Sequence, residues 1–111
     1  MRRDIKSPQR QMRTEHFIVT DVAGTPTLGE GQYRGTIADN APGDFTITLN
    51  EPMGRAPVVL VTPASADTIA IVAASAIGSV QINLVDATDG TTLKDGDCHI
   101  LLLGSEVADE A

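Results

Sequence analysis

Cys98 and His99 stand side by side, and a thiol beside an imidazole is the material of a nucleophile and its base. The segment that carries them, CHILLL, reads as a strand, where consecutive side chains leave by opposite faces. The two groups therefore cannot meet. Cys98 reads as a small core residue and His99 as an edge or interface residue. The other histidine, His16, falls in the N-terminal stretch. No G-x-S-x-G is present and no Ser, His and acid set can be assembled, so the chain reads as a non-enzyme.

Residues 86–97, DATDGTTLKDGD, offer the oxygens a hard cation wants: Asp86, Asp89, Asp95 and Asp97. Their spacing is not the alternate-residue spacing of an EF-hand loop, and Lys94 sits among them. Two solvated turns, built on Asp89-Gly90 and Asp95-Gly96, are the plainer reading. The segment GEGQYRG has Gly29, Gly31 and Gly35, one residue out of register for a dinucleotide loop and with no helix behind it. No cofactor and no metal are expected.

The formal charge of −7 is unevenly spread. The first thirteen residues carry Arg2, Arg3, Lys6, Arg10 and Arg13 against Asp4, a net +4. The remainder has only Arg34, Arg55 and Lys94 against fourteen acids, a net −11. An acidic body opposes the phosphate field of nucleic acid, whereas the basic head is drawn to an acidic surface. The five basic residues are therefore the candidate partner-binding set. Pro8 and the lack of periodicity make residues 1–16 an extended arm, with a sandwich over 17–104 and an acidic tail over 105–111. No apolar run approaches the ~20 residues of a membrane-spanning helix. The basic start has no apolar stretch behind it, so it does not read as a secretory signal. One cysteine excludes an internal disulfide.

The elements that hold these residues are strands. Phe45, Ile47 and Leu49 alternate with Thr46 and Thr48, a period of two. Val80, Ile82 and Leu84 alternate with Gln81 and Asn83 in the same way. Further strand signals lie at 17–20, 32–38, 57–61, 67–76 and 98–103, separated by turn-rich connections. About seven short strands at regular spacing predict an all-β fold, a small antiparallel β-sandwich with an extended N-terminal arm.

Three of those strands, near 57–61, 69–74 and 100–103, are apolar on both parities, although a small sandwich buries only one face of each. Second faces left in water would form a contiguous patch of the kind soluble monomers avoid. A homo-oligomer packed sheet against sheet resolves this, with Val59, Val61, Leu101 and Leu103 as candidate interface residues, or else the opposite parity of the same strands.

The order of a strand, NEPMGRAP, an all-apolar strand, ASAIGSVQINL and CHILLLG resembles the small six-stranded sandwich of H-type lectins and of some phage tail-fibre C-terminal domains. The likeness covers roughly residues 44–104. Residues 24–54 also resemble small virion proteins of tailed phages. Both resemblances imply a homotrimer built around apolar sheet faces. They imply a virion location, with the major capsid protein or another virion protein as partner. The expected function is that of a trimeric capsid decoration or cement protein which docks through its arm. The alternative is a carbohydrate-binding module of a tail or head fibre. Sugar sites favour an aromatic platform, and only Tyr33, Phe17 and Phe45 are aromatic here, with both phenylalanines expected in the core.

Overall fold

The computed structural model describes residues 12–29 and 34–105. Eight strands run through them: β1 (Met12–Val22), β2 (Thr25–Leu28), β3 (Gly35–Ala41), β4 (Asp44–Leu49), β5 (Val58–Pro63), β6 (Thr68–Ala76), β7 (Ser79–Asp86) and β8 (Cys98–Ser105). They form two four-stranded antiparallel sheets, in the orders β2-β1-β8-β5 and β3-β4-β7-β6. The expected all-β sandwich is the observed architecture.

The core is the sum of the inward rows. Phe17 and Val19 of β1 and Cys98, Ile100 and Leu102 of β8 face Phe45, Ile47 and Leu49 of β4 and Val80, Ile82 and Leu84 of β7. Aliphatic side chains of intermediate size interdigitate between the sheets, and the two phenylalanines fill the space that an aromatic-poor chain leaves. Both are buried, as expected from the sequence.

The strand boundaries differ from the sequence reading, and three of the differences bear on the surface described below. The sequence starts the sandwich at Phe17, but β1 begins at Met12, so residues 12–16 belong to the sheet and not to an arm. The alternation is present there, but its inward members are Arg13 and Glu15, which neutralise each other. Residues 25–28, which read as part of a loop, form β2. Pro26 suits an edge strand, where its missing N–H is not needed by a neighbour. Finally, β8 continues to Ser105, the first residue of the expected tail. Residues 1–11 and 106–111 lie outside the described residues.

The β3–β4 connection shows how tightly one end is sewn. Gly43 holds a φ of +71°, and a Cβ there would come within 2.6 Å of the Leu84 carbonyl oxygen and the Lys94 nitrogen. The Gly43 carbonyl accepts from the Leu84 N–H at 2.7 Å, and its own N–H donates to Asp95 Oδ1 at 3.0 Å. Only glycine meets both the left-handed backbone and the close approach.

The inward row predicts the cost of emptying it. Leu102 is 0% exposed at the centre of the core. Leu102→Ala is expected to lose ~2–5 kcal/mol by chemical denaturation. A loss below ~1 kcal/mol would show that β8 runs in the other parity.

Candidate interaction surface

The residues singled out for chemistry are held apart by β8. Cys98 is fully buried, and burial together with the nearby Asp97 charge pushes its thiol up to about 12. A thiol so protonated is a poor nucleophile. His99 leaves by the opposite face, as alternation requires.

The aspartates of the 86–97 region act as local fasteners. Asp97 Oδ1 accepts from the Asp21 backbone N–H at 2.7 Å, tying β1 to the start of β8. Asp95 holds the Gly43 turn. Asp89 accepts from the Thr92 hydroxyl and from the Thr92 and Thr91 N–H groups, which hold its carboxyl down to about 2. Asp86 is lowered by the Thr88 hydroxyl and N–H. Exposed Asp89 keeps its turn bonds as pH falls and loses them only near pH 2. Among the described residues no three His, Cys, Asp or Glu side chains gather as metal ligands.

Arg13 corrects the expected partner-binding set. It is 7% exposed, inside one end of the sandwich. Its Nε donates to Glu15 Oε2 at 2.9 Å and its Nη1 to the Pro52 carbonyl at 3.2 Å. Arg34 approaches the same Glu15 oxygen at 2.9 Å from the exposed side. Nη2 of Arg13 is buried with no acceptor among the described residues. Arg13 therefore closes the sandwich and is not offered to a partner. Arg2, Arg3, Lys6 and Arg10 lie outside the described residues.

The four candidate interface residues fall on two faces. The register pairs Val58 with Leu103, Val59 with Leu102, Leu60 with Leu101 and Val61 with Ile100. Cross-strand partners share a face. Val59 and Val61 therefore point inward and pack on the core, while Leu101 and Leu103 point outward. The outward partners of Leu101 and Leu103 are Leu60 and Val58, at 51% and 62% exposure. Correct parity thus replaces Val59 and Val61 by Val58 and Leu60 in the outer row.

Extended across the sheet, this outer row becomes a surface. From β1 it takes Thr14, His16, Ile18 and Thr20, from β2 Thr25 and Thr27, from β8 His99, Leu101 and Leu103, and from β5 Val58, Leu60 and Thr62. None of these is an Asp, Glu, Lys or Arg, although 21% of the chain is charged. At its middle His16 and His99 stack, with ring centroids 5.7 Å apart and planes at 16°. They line an open cleft of about 500 Å³ with Leu60, Thr62 and Leu101. The surface continues around the lateral side, where β6 is an edge strand of nine uncharged residues exposing Ile69, Ile71 and Val72. The Ser75 hydroxyl donates to the Pro57 carbonyl at 3.0 Å and holds the two sheets together on that side. The other sheet presents a different outer face: Asp44 Oδ1 accepts from Asn40 and Gln81, a polar net that water can solvate.

Sequence reasoning pointed to β8 and β5, and of the four residues it named, Leu101 and Leu103 lie on this face while Val59 and Val61 do not. It missed the β1 part, because His16 and Thr14 were assigned to an arm. No protein-family model, curated protein or solved structure matches the chain.

The buried ion pair gives a test of its own. Glu15→Ala leaves the Arg13 guanidinium buried without its carboxylate and is expected to cost about 3 kcal/mol in urea unfolding. Arg34→Ala removes only the 60%-exposed partner and should cost less than ~1 kcal/mol. Equal, small effects would place Arg13 in water.

Proposed function

We propose that this chain is a structural assembly module whose copies pack through the uncharged outer face of β1, β8 and β5, and that it acts as a homotrimeric decoration or cement protein of a tailed-phage capsid. It is a binding and scaffolding protein, not an enzyme. The observation that carries the assembly reading is the charge-free face on an acidic chain. Two copies of a body near −10 repel wherever their carboxylates meet, so close approach is restricted to a surface that brings no like charge. That face also leaves Val58 and Leu60 more than half exposed beside Leu101 and Leu103, apolar area whose burial drives association. A second copy satisfies both conditions, since it presents the same aliphatic and hydroxyl surface.

The trimeric state and the virion setting rest on the likeness of residues 24–54 to small virion proteins and of residues 44–104 to the fibre and lectin sandwich. The four remaining basic residues, Arg2, Arg3, Lys6 and Arg10, supply the contact with an acidic capsid surface. Three such segments in one trimer bind together, so weak single contacts hold. One observation favours the second reading, a carbohydrate-binding module: the open cleft at His16, His99, Leu60, Thr62 and Leu101. Its stacked imidazoles are a flat surface for a sugar ring. A trimer that covers this face leaves the cleft no room for a glycan, so the two readings exclude each other at one site.

Light scattering of the full chain at micromolar concentration is expected to give three times the chain mass, and Leu101→Asp a folded monomer. An unpaired carboxylate at that position costs several kcal/mol once covered and little in water. Binding to bare particles should weaken as salt rises and disappear in a variant beginning at Met12. A stable wild-type monomer, or undiminished particle binding without residues 1–11, would refute this function. Specific retention of a glycan by a monomer would establish the second reading.

A further inference from the structure

Both histidines of this chain stand at one spot. His16 comes from β1 and His99 from β8, and the sheet brings them from opposite ends of the sequence into a stack. We propose that this pair makes the association of copies pH-dependent, holding them together while both imidazoles are neutral and separating them when the pair is protonated. The inference rests on the assembly reading above and adds its regulation.

The surroundings decide the sign. On β1 the outward neighbours of His16 are Thr14 and Ile18; on β8 the neighbour of His99 is Leu101; β5 contributes Leu60 and Thr62, and beyond β1 lie Thr25 and Thr27 of β2. None of them titrates below pH 10 or carries a charge. The charged residues of the same strands, Arg13, Glu15 and Asp21 of β1, sit on the inward parity, Arg13 against Glu15; Asp97, just ahead of β8 and two residues before His99, accepts from the Asp21 N–H. Among the described residues, β1, β2, β8 and β5 therefore put no carboxylate on this face beside an imidazolium. In a separated copy water solvates the charge. In an assembled one the facing copy displaces that water and brings another uncharged face. Two imidazolium rings 5.7 Å apart then repel each other without compensation.

The assembled state consequently binds fewer protons than the separated copies. By linkage, association is complete where both imidazoles are neutral and weakens as falling pH protonates the pair. The limit is ~10-fold in the association constant per pH unit for each imidazole that must lose its proton, or ~100-fold for a pair.

Sedimentation equilibrium of the full-length protein between about pH 8 and about pH 5 tests this. The wild type is expected to be assembled at the upper end and to dissociate towards the lower, with far-UV circular dichroism unchanged. The double variant His16→Gln, His99→Gln keeps the outward polarity without a titrating group and should show a flat profile. A wild type that stays equally assembled at about pH 5 would overturn the switch while leaving the assembly intact. The same pH dependence in the double variant would overturn it too. A wild type already monomeric at about pH 8 would overturn the assembly reading, and the switch with it. If the double variant does not fold, the wild-type slope of the logarithm of the association constant against pH decides: at least one per copy supports the pair, and zero refutes it.

Discussion

The register of β8 against its two neighbours is the constraint on which the molecule depends. β8 lies between β1 and β5, and both pairings are antiparallel over nearly its whole length. Fixing that register sends Cys98, Ile100 and Leu102 into the core and sends His99, Leu101 and Leu103 out. A slip of one residue would put His99 and two leucines inside and leave Ile100 in water. The core, the inertness of Cys98, the histidine stack and the aliphatic outer row are consequences of one set of ladder hydrogen bonds.

The parity of individual strands was legible wherever the two faces differ in chemistry. In β4 and β7 the threonines, Gln81 and Asn83 mark the outside, and the alternation places Phe45, Ile47, Leu49, Val80, Ile82 and Leu84 inside, where they are. It was not legible in β5 and β8, because Val58 and Val59, or Leu101 and Leu102, are chemically interchangeable. Only the pairing decides between them. Antiparallel pairing here joins odd positions of β8 to even positions of β5, so a choice of odd numbers on both strands mixes the faces. The start of β1 was hidden for a different reason. Its inward row there is Arg13 and Glu15, and a pattern search counts apolar residues, not charges that cancel. Likewise, β2 was hidden by Pro26, which disqualifies a central strand but not an edge.

These differences change the functional picture. Moving residues 12–16 into the sheet removes Arg13 from the basic segment and supplies His16 and Thr14 to the outer face. The candidate surface thereby becomes a three-strand face, with a histidine pair near its centre and aliphatic side chains towards β5. The acidic groups of the 86–97 region, which composition alone offers as ligands, are instead committed to turns and loop fastenings around that end of the sandwich. Among the described residues charge thus lies in loops, on the second sheet and at one buried end, and the outer face of the first sheet is left neutral. For an acidic chain such a face is where another copy can approach without repulsion.

Whether that face is covered in solution is the central claim, and hydroxyl-radical footprinting of the full-length protein reads it directly. The account predicts that Leu60, Leu101, Leu103 and His99 are protected at micromolar concentration, while Ile77, exposed between β6 and β7, is labelled freely. It also predicts that this protection is lost on dilution, as copies separate. Labelling of Leu60 and Leu101 at a rate that matches their exposure in a single copy, unchanged with concentration, would contradict it.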